Sequence, residues 1–129
     1  MKRLAKRSPE SYRNHFKTKR LATLQALIFY IIPSEPNAKV WLQGNSLGEQ
    51  NRAWRRAKFL GQYRLFFRFD SKSKVIVYGW VNDENSLRAY ESRNDAYLVF
   101  ARMLEANSPL SDWDELLDSS NFVASLKTQ

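Results

Sequence analysis

Residues 54–81 read WRRAKFLGQYRLFFRFDSKSKVIVYGWV, and this stretch decides the fold. β-branched and aromatic residues fill three runs, Trp54 to Phe59, Tyr63 to Phe69 and Lys74 to Val81. Gly61-Gln62 and Asp70-Ser71-Lys72-Ser73 separate them, gaps short enough for hairpins, so the expectation is an antiparallel meander. Successive side chains on a strand point to opposite faces. Arg56 and Lys58 therefore share one face of the first strand, and Arg64, Phe66 and Arg68 share one face of the second, against Tyr63, Leu65, Phe67 and Phe69. If helices cover one side of such a sheet, the other stays open, and here it would present four cations dotted with aromatics. Such a surface holds phosphates and stacks bases.

Upstream, Ser8-Pro9-Glu10 combines an N-cap hydroxyl, a proline at the first helical position and an acid near the positive helix end. A long amphipathic helix is expected from residue 9, with Tyr12, Phe16, Leu24, Leu27, Ile28 and Ile31 as its apolar stripe and Pro33 closing it. Its last residues, Ile28 to Ile32, are strand-like by propensity. Residues 33–53, with Pro33, Pro36, Gly44, Asn45 and Gly48, read as loop. Downstream, Ala96, Tyr97, Phe100, Met103 and Leu104 repeat at helical spacing from about Asn94, and Asp112 to Leu117 suggests a short last helix after Pro109. The whole reads as one α+β domain over residues 1–129, an antiparallel sheet packed against N-terminal and C-terminal helices.

The chain has 129 residues and no cysteine, which excludes disulfide scaffolds, Cys-rich zinc modules and Cys nucleophiles. Its formal net charge of +8 makes a polyanion the first partner to consider. That charge is segregated. Residues 1–68 hold 15 Lys and Arg against Glu10, Glu35 and Glu49, whereas residues 69–129 hold six against ten acids. No acid lies between Gln50 and Phe69, so the strand cations repel one another unless a polyanion neutralises them. Arginine dominates them, and its planar fork suits phosphate. The longest apolar run, Leu27 to Ile32, is too short to span a bilayer, and no secretory signal is recognisable, so a cytoplasmic protein with no membrane partner is expected. The single His15 falls on the first helix, away from the basic strands, and neither Asp83-Glu84 nor Asp112, Asp114 and Glu115 has a partner at metal-ligand spacing. No metal and no cofactor are expected.

Gln62 to Arg68, Val75 to Asn85 and Leu87-Arg88-Ala89-Tyr90 together resemble the YhaV-type toxins of bacterial toxin–antitoxin pairs, themselves related to RelE-type ribonucleases. The resemblance runs from about Pro9 to Trp113 and is densest over residues 54–113. It implies a RelE-like sheet of three to four strands and a metal-independent endoribonuclease that cleaves messenger RNA, free or on the ribosome, and so inhibits translation. It also implies silencing by a PrlF-type antitoxin, with operator DNA reached only through the antitoxin complex. By position, the cutting residues resemble Arg56, Lys58 and Arg64, with Arg68 beside them, and Tyr90 near the last helix; on the open face expected above, Arg56 and Arg68 would hold flanking phosphates, and Phe66 and Trp80 would meet bases. Where RelE-type toxins carry an arginine just after the last strand, this chain has Asp83-Glu84. Arg88 is the substitute, and Glu84 gains a general-base role.

In such a mechanism the ribose 2′-OH attacks the adjacent phosphorus in line, and preplaced cations stabilise charge growing on the non-bridging oxygens. Arg64 is the leading candidate for that clamp, and Lys58, crowded by like charges, for a proton carrier. Tyr90 either stacks a base, orients the phosphate or anchors the core. Relatives begin with a strand and a fuller first helix ahead of the Pro-Glu-x-Tyr segment. The expectation is therefore a missing first strand and an uncovered sheet border. That keeps open a non-catalytic remnant binding nucleic acid or antitoxin, and a basic adaptor for an acidic protein.

Overall fold

The computed structural model describes residues 9–89, 95–107, 109 and 113–119. Two compact units divide the chain, Met1–Glu35 and Pro36–Gln129. The described part of the first unit is helical. Helix α1 (Pro9–Ala26) runs into a π turn at Leu27–Ile31 and a final α turn, α2 (Ile32–Ser34). The strand-like tail of the apolar stripe is thus helical after all. Its π register places the Ile32 amide on the Leu27 carbonyl, one residue farther back than an α turn would. Pro33 explains the position of this irregularity, because its ring clashes with the carbonyl four residues earlier and it has no N–H to donate. His15 is exposed on α1.

The second unit holds a three-stranded antiparallel sheet in the order β1 (Arg55–Phe59), β2 (Tyr63–Asp70), β3 (Val75–Val81). Helices α3 (Ala96–Glu105) and α4 (Trp113–Ser119) follow. The meander and its hairpins are therefore as the residues 54–81 dictate. Asp70 closes the second hairpin by accepting from the Ser73 hydroxyl (2.7 Å) and amide (3.1 Å), bonds that hold its carboxyl below the usual carboxylate range. The loop before β1 is turn-rich as expected, but it is organised round a buried glutamine. Gln43 Nε2 donates to the carbonyls of Asn51 and Trp54, and its Oε1 accepts from the Leu47 amide. Along the border of β1 the described residues add a single bridge, Leu42 to Arg55, rather than a fourth strand.

Register decides which side chains share a face. Arg56 is opposite Phe66 and Lys58 opposite Arg64, so the alternation within β1 and β2 is as expected. In β3 a bulge interrupts it, because Phe66 pairs with Trp80 while Phe67 pairs with Tyr78. Gly79 is the extra residue, and Trp80 and Val77 consequently lie on the same face as Phe66 and Arg68. A Cβ on Gly79 would stand 2.5 Å from Cζ3 and 2.7 Å from Cη2 of Trp54, a fully buried ring set edge-on to Phe100. Gly79→Ala is expected to cost about 1–3 kcal/mol through overpacking, read as a lower urea midpoint. An unchanged midpoint would show that the Trp54 ring can yield.

The expected open face does not exist. The face carrying Arg56, Arg64 and Arg68 is the one against which α3 and α4 pack, with Phe66, Val75, Val77, Tyr97, Phe100, Leu104 and Leu116 in one core. Ala57, Phe59, Tyr63, Leu65, Phe67 and Ile76 on the opposite face are buried as well. Both sides of the sheet are apolar and covered, and the cations emerge only at its end and margins. Alternation in a sequence separates two faces but does not say which one a helix forty residues later will cover.

Candidate active site

The site is assembled where the β1–β2 hairpin meets the segment after β3. Asn82, fully buried, joins the two. Its Oδ1 accepts from the Arg64 amide (2.7 Å), and its Nδ2 donates to the carbonyls of Gln62 (3.1 Å) and Ser86 (2.8 Å). The chain turns at Asp83–Ser86 and returns beside the hairpin, where the Arg88 amide donates to the Gln62 carbonyl and Gln62 Nε2 donates to the Arg88 carbonyl. Arg88 is thereby carried back alongside β2. Asp95 then caps α3. One carboxylate oxygen accepts from the Tyr97 amide, and the other from Arg88 Nη1 and the Ala89 amide, both at 2.7 Å.

These contacts bring three guanidinium groups round one aromatic residue. Tyr97, in the first turn of α3, accepts from Nε of Arg56 and from Nε of Arg64, each at 3.2 Å, and the Arg88 guanidinium carbon stands 4.6 Å from its ring centroid. Arg56 Nη1 also donates to the Val40 carbonyl, and Arg64 Nη1 to those of Gly61 and Tyr63. Lys58, exposed, faces Arg64 across the strand pair. Asp95 answers one positive charge, and the excess at the end of the sheet has the charge and donor geometry that suit a phosphate or another oxyanion. Among the described residues no group of three or more His, Asp or Glu side chains could hold a metal ion.

Several assignments need correction. Phe66 is buried completely, stacked on Phe100 at 4.5 Å, and no base can reach its ring. Trp80 is parallel to the same Phe100 at 5.7 Å and belongs to the packing of the core rather than to a nucleic-acid platform. Arg68 shares the face of Arg64 but lies four residues along β2, about 13 Å away at strand rise. It packs over the rings of Trp54 and Trp113 at 5.8 and 5.3 Å. The four-cation cluster is therefore Arg56, Lys58, Arg64 and Arg88. Glu84 is exposed on the turn after β3, and no described hydrogen bond or ion pair links it to these cations. Tyr90 and Asp112 lie outside the described residues. Asn82, Asp95 and the role of Tyr97 escaped sequence reading. Asp95 directly before a helical stripe was the one legible signal, as an N-cap.

An α+β chain with three guanidinium groups converging at one end of its sheet has, as a class, groups suited to phosphate chemistry. The chain belongs to the YhaV toxin family: a family profile described as a toxin with endonuclease activity, of a toxin–antitoxin system, matches residues 1–121. The ribonuclease toxin YhaV of Escherichia coli K12 is 45% identical over 112 residues, which cover 85% of this chain and 73% of that protein. The toxin YhaV of Escherichia coli O157:H7 and that of the O6:H1 strain CFT073 match to the same extent. No solved structure matches significantly. Among the described residues no helix is long and apolar enough to cross a membrane.

Proposed function

We propose that this chain is the toxin of a type II toxin–antitoxin pair and that it cuts messenger RNA without a metal ion, at the end of the sheet where Arg56, Lys58, Arg64 and Arg88 gather. The observation that carries the reading is the convergence of three guanidinium groups on Tyr97 in a member of this endonuclease family. The match across both compact units supports a single toxin domain over residues 1–129. Arg64 holds the scissile phosphate and stabilises the charge that grows on its oxygens as the 2′-OH loses its proton and attacks, the P–O5′ bond breaks, and the 5′ oxygen leaves as a protonated hydroxyl. Arg88, set by Asp95, adds a second cation. Lys58, the exposed member, carries a proton to or from the reacting oxygens. Glu84 is the remaining candidate for a general base, and Tyr90 for stacking a base or orienting the reacting phosphate. The partner that silences the toxin is a PrlF-type antitoxin, and the toxin released from it works in the cytoplasm, on free or ribosome-bound messenger.

Purified protein incubated with RNA in excess EDTA should produce fragments ending in 2′,3′-cyclic phosphate. Intact RNA under those conditions, together with intact messenger on ribosomes, rules the reading out. Arg56→Ala should weaken RNA binding for all sequences alike and lower the slope of log affinity against log salt by about one phosphate contact. An unchanged slope would remove Arg56 from the phosphate track.

A further inference from the structure

A tyrosine hydroxyl offers two acceptor lone pairs and one proton. In this protein the oxygen of Tyr97 accepts twice, from Nε of Arg56 on β1 and from Nε of Arg64 on β2. Both arginines are thus gripped along the same edge. Arg56 uses Nε and Nη1 within the protein, and so does Arg64, while no hydrogen bond among the described residues involves Nη2 of either. The gripping residue is itself immobilised. Tyr97 is only 6% exposed, its ring stands edge-on to Phe66 at 5.5 Å, Arg88 covers one face, and Asp95 accepts from its amide. Arginine loses much rotamer freedom when ordered, and holding the groups beforehand removes that cost from the reaction.

We infer that Tyr97 is a positioning residue of the ribonuclease site proposed above: its hydroxyl locks Arg56 and Arg64 into one fork, with their Nη2 donors left for a phosphate. The inference rests on that reading for its substrate, and on the geometry of this one oxygen for its role. Tyr97 acts through the arginines and makes no bond with RNA.

The test is Tyr97→Phe, which keeps the ring, its packing and the Arg88 contact and removes only the shared acceptor. Cleavage should slow about 10–100-fold in kcat with KM within about threefold, the pattern of lost preorganisation. The melting temperature should move by no more than about 6–12 °C, the span of the two lost hydrogen bonds. In an Arg64→Ala background the same substitution should slow cleavage by no more than about twofold, because residues acting as a unit are non-additive. Wild-type cleavage by Tyr97→Phe, or an equal fold-loss in both backgrounds, overturns the role while leaving the ribonuclease reading intact. If the wild type itself leaves RNA whole, free and on ribosomes alike, the ribonuclease reading fails. Affinity for a 2′-O-methyl RNA then decides the inference: at least fivefold weaker binding by Tyr97→Phe sustains the fork, and equal binding ends it. The wild-type protein supplies a measurement that needs no variant. The Nε–H protons of Arg56 and Arg64 should exchange slowly with solvent by NMR, and fast exchange of both would equally refute the lock.

Discussion

Arg64→Ala is expected to lower kcat for RNA cleavage about 10²–10³-fold, the loss typical of removing one preplaced donor from a developing oxyanion. Arg64 is the central member of the cluster. It lies on the middle strand, faces Lys58 across β1, has its backbone amide held by Asn82, and shares the Tyr97 hydroxyl with Arg56. At 7% exposure its guanidinium is nearly enclosed, which strengthens its field on any phosphate that reaches it. Lysine should not substitute. An ammonium has no planar fork with which to bond Tyr97 and the Gly61 and Tyr63 carbonyls while still offering a donor outward. The same carbonyl bonds mean that the alanine variant loses about 1–3 kcal/mol of stability, so rates must be compared well below its melting temperature. Cleavage by folded Arg64→Ala at the wild-type rate would place the chemistry elsewhere.

Phe66→Ala should cost about 3–5 kcal/mol, a large part of the stability of a domain this size. The ring is fully buried, stacked on Phe100, parallel to Trp80 at 6.1 Å and edge-on to Tyr97. The cavity would open directly beneath the arginine site, and denaturant unfolding followed by circular dichroism measures the loss. If Phe66 were instead a base-stacking residue, the alanine protein would keep its stability and lose RNA affinity. That outcome would return the ring to the nucleic-acid surface. The packing also explains why the site tolerates so much positive charge. Ring faces of Tyr97, Trp54 and Trp113 lie under Arg88 and Arg68, where the negative ring quadrupole offsets part of the repulsion.

Membership of a toxin–antitoxin family gives the uneven charge a plain use. A basic half attracts RNA from a distance. We expect an antitoxin that competes for the same half to carry acidic groups complementary to it. Salt should therefore weaken both associations, while the apolar core and the Asn82 and Gln43 networks, sealed from solvent, should be little affected by it.

The two hairpins, the three strands and the shared face of Arg56, Lys58, Arg64 and Arg68 were all legible from residues 54–81, because strand pairing through short turns and the two-residue alternation of side chains are local backbone properties. The family was legible there too, since long runs such as Gln62 to Arg68 and Val75 to Asn85 carry its wording. Tertiary structure alone decided the rest. The cationic face became a covered face because α3 and α4 bring Phe100, Leu104 and Leu116 onto it from more than thirty residues away. Gly79, the extra residue of a bulge, reversed the parity of β3, and the Trp54 ring fills the space of its missing Cβ. Arg68 was drawn off to two tryptophans, and Arg88 was brought in by the Asn82 turn and the Asp95 cap. Tyr97, in sequence one apolar position of a helix, became the meeting point of two strands because a hydroxyl's partners depend on distances across the fold, which no local period encodes.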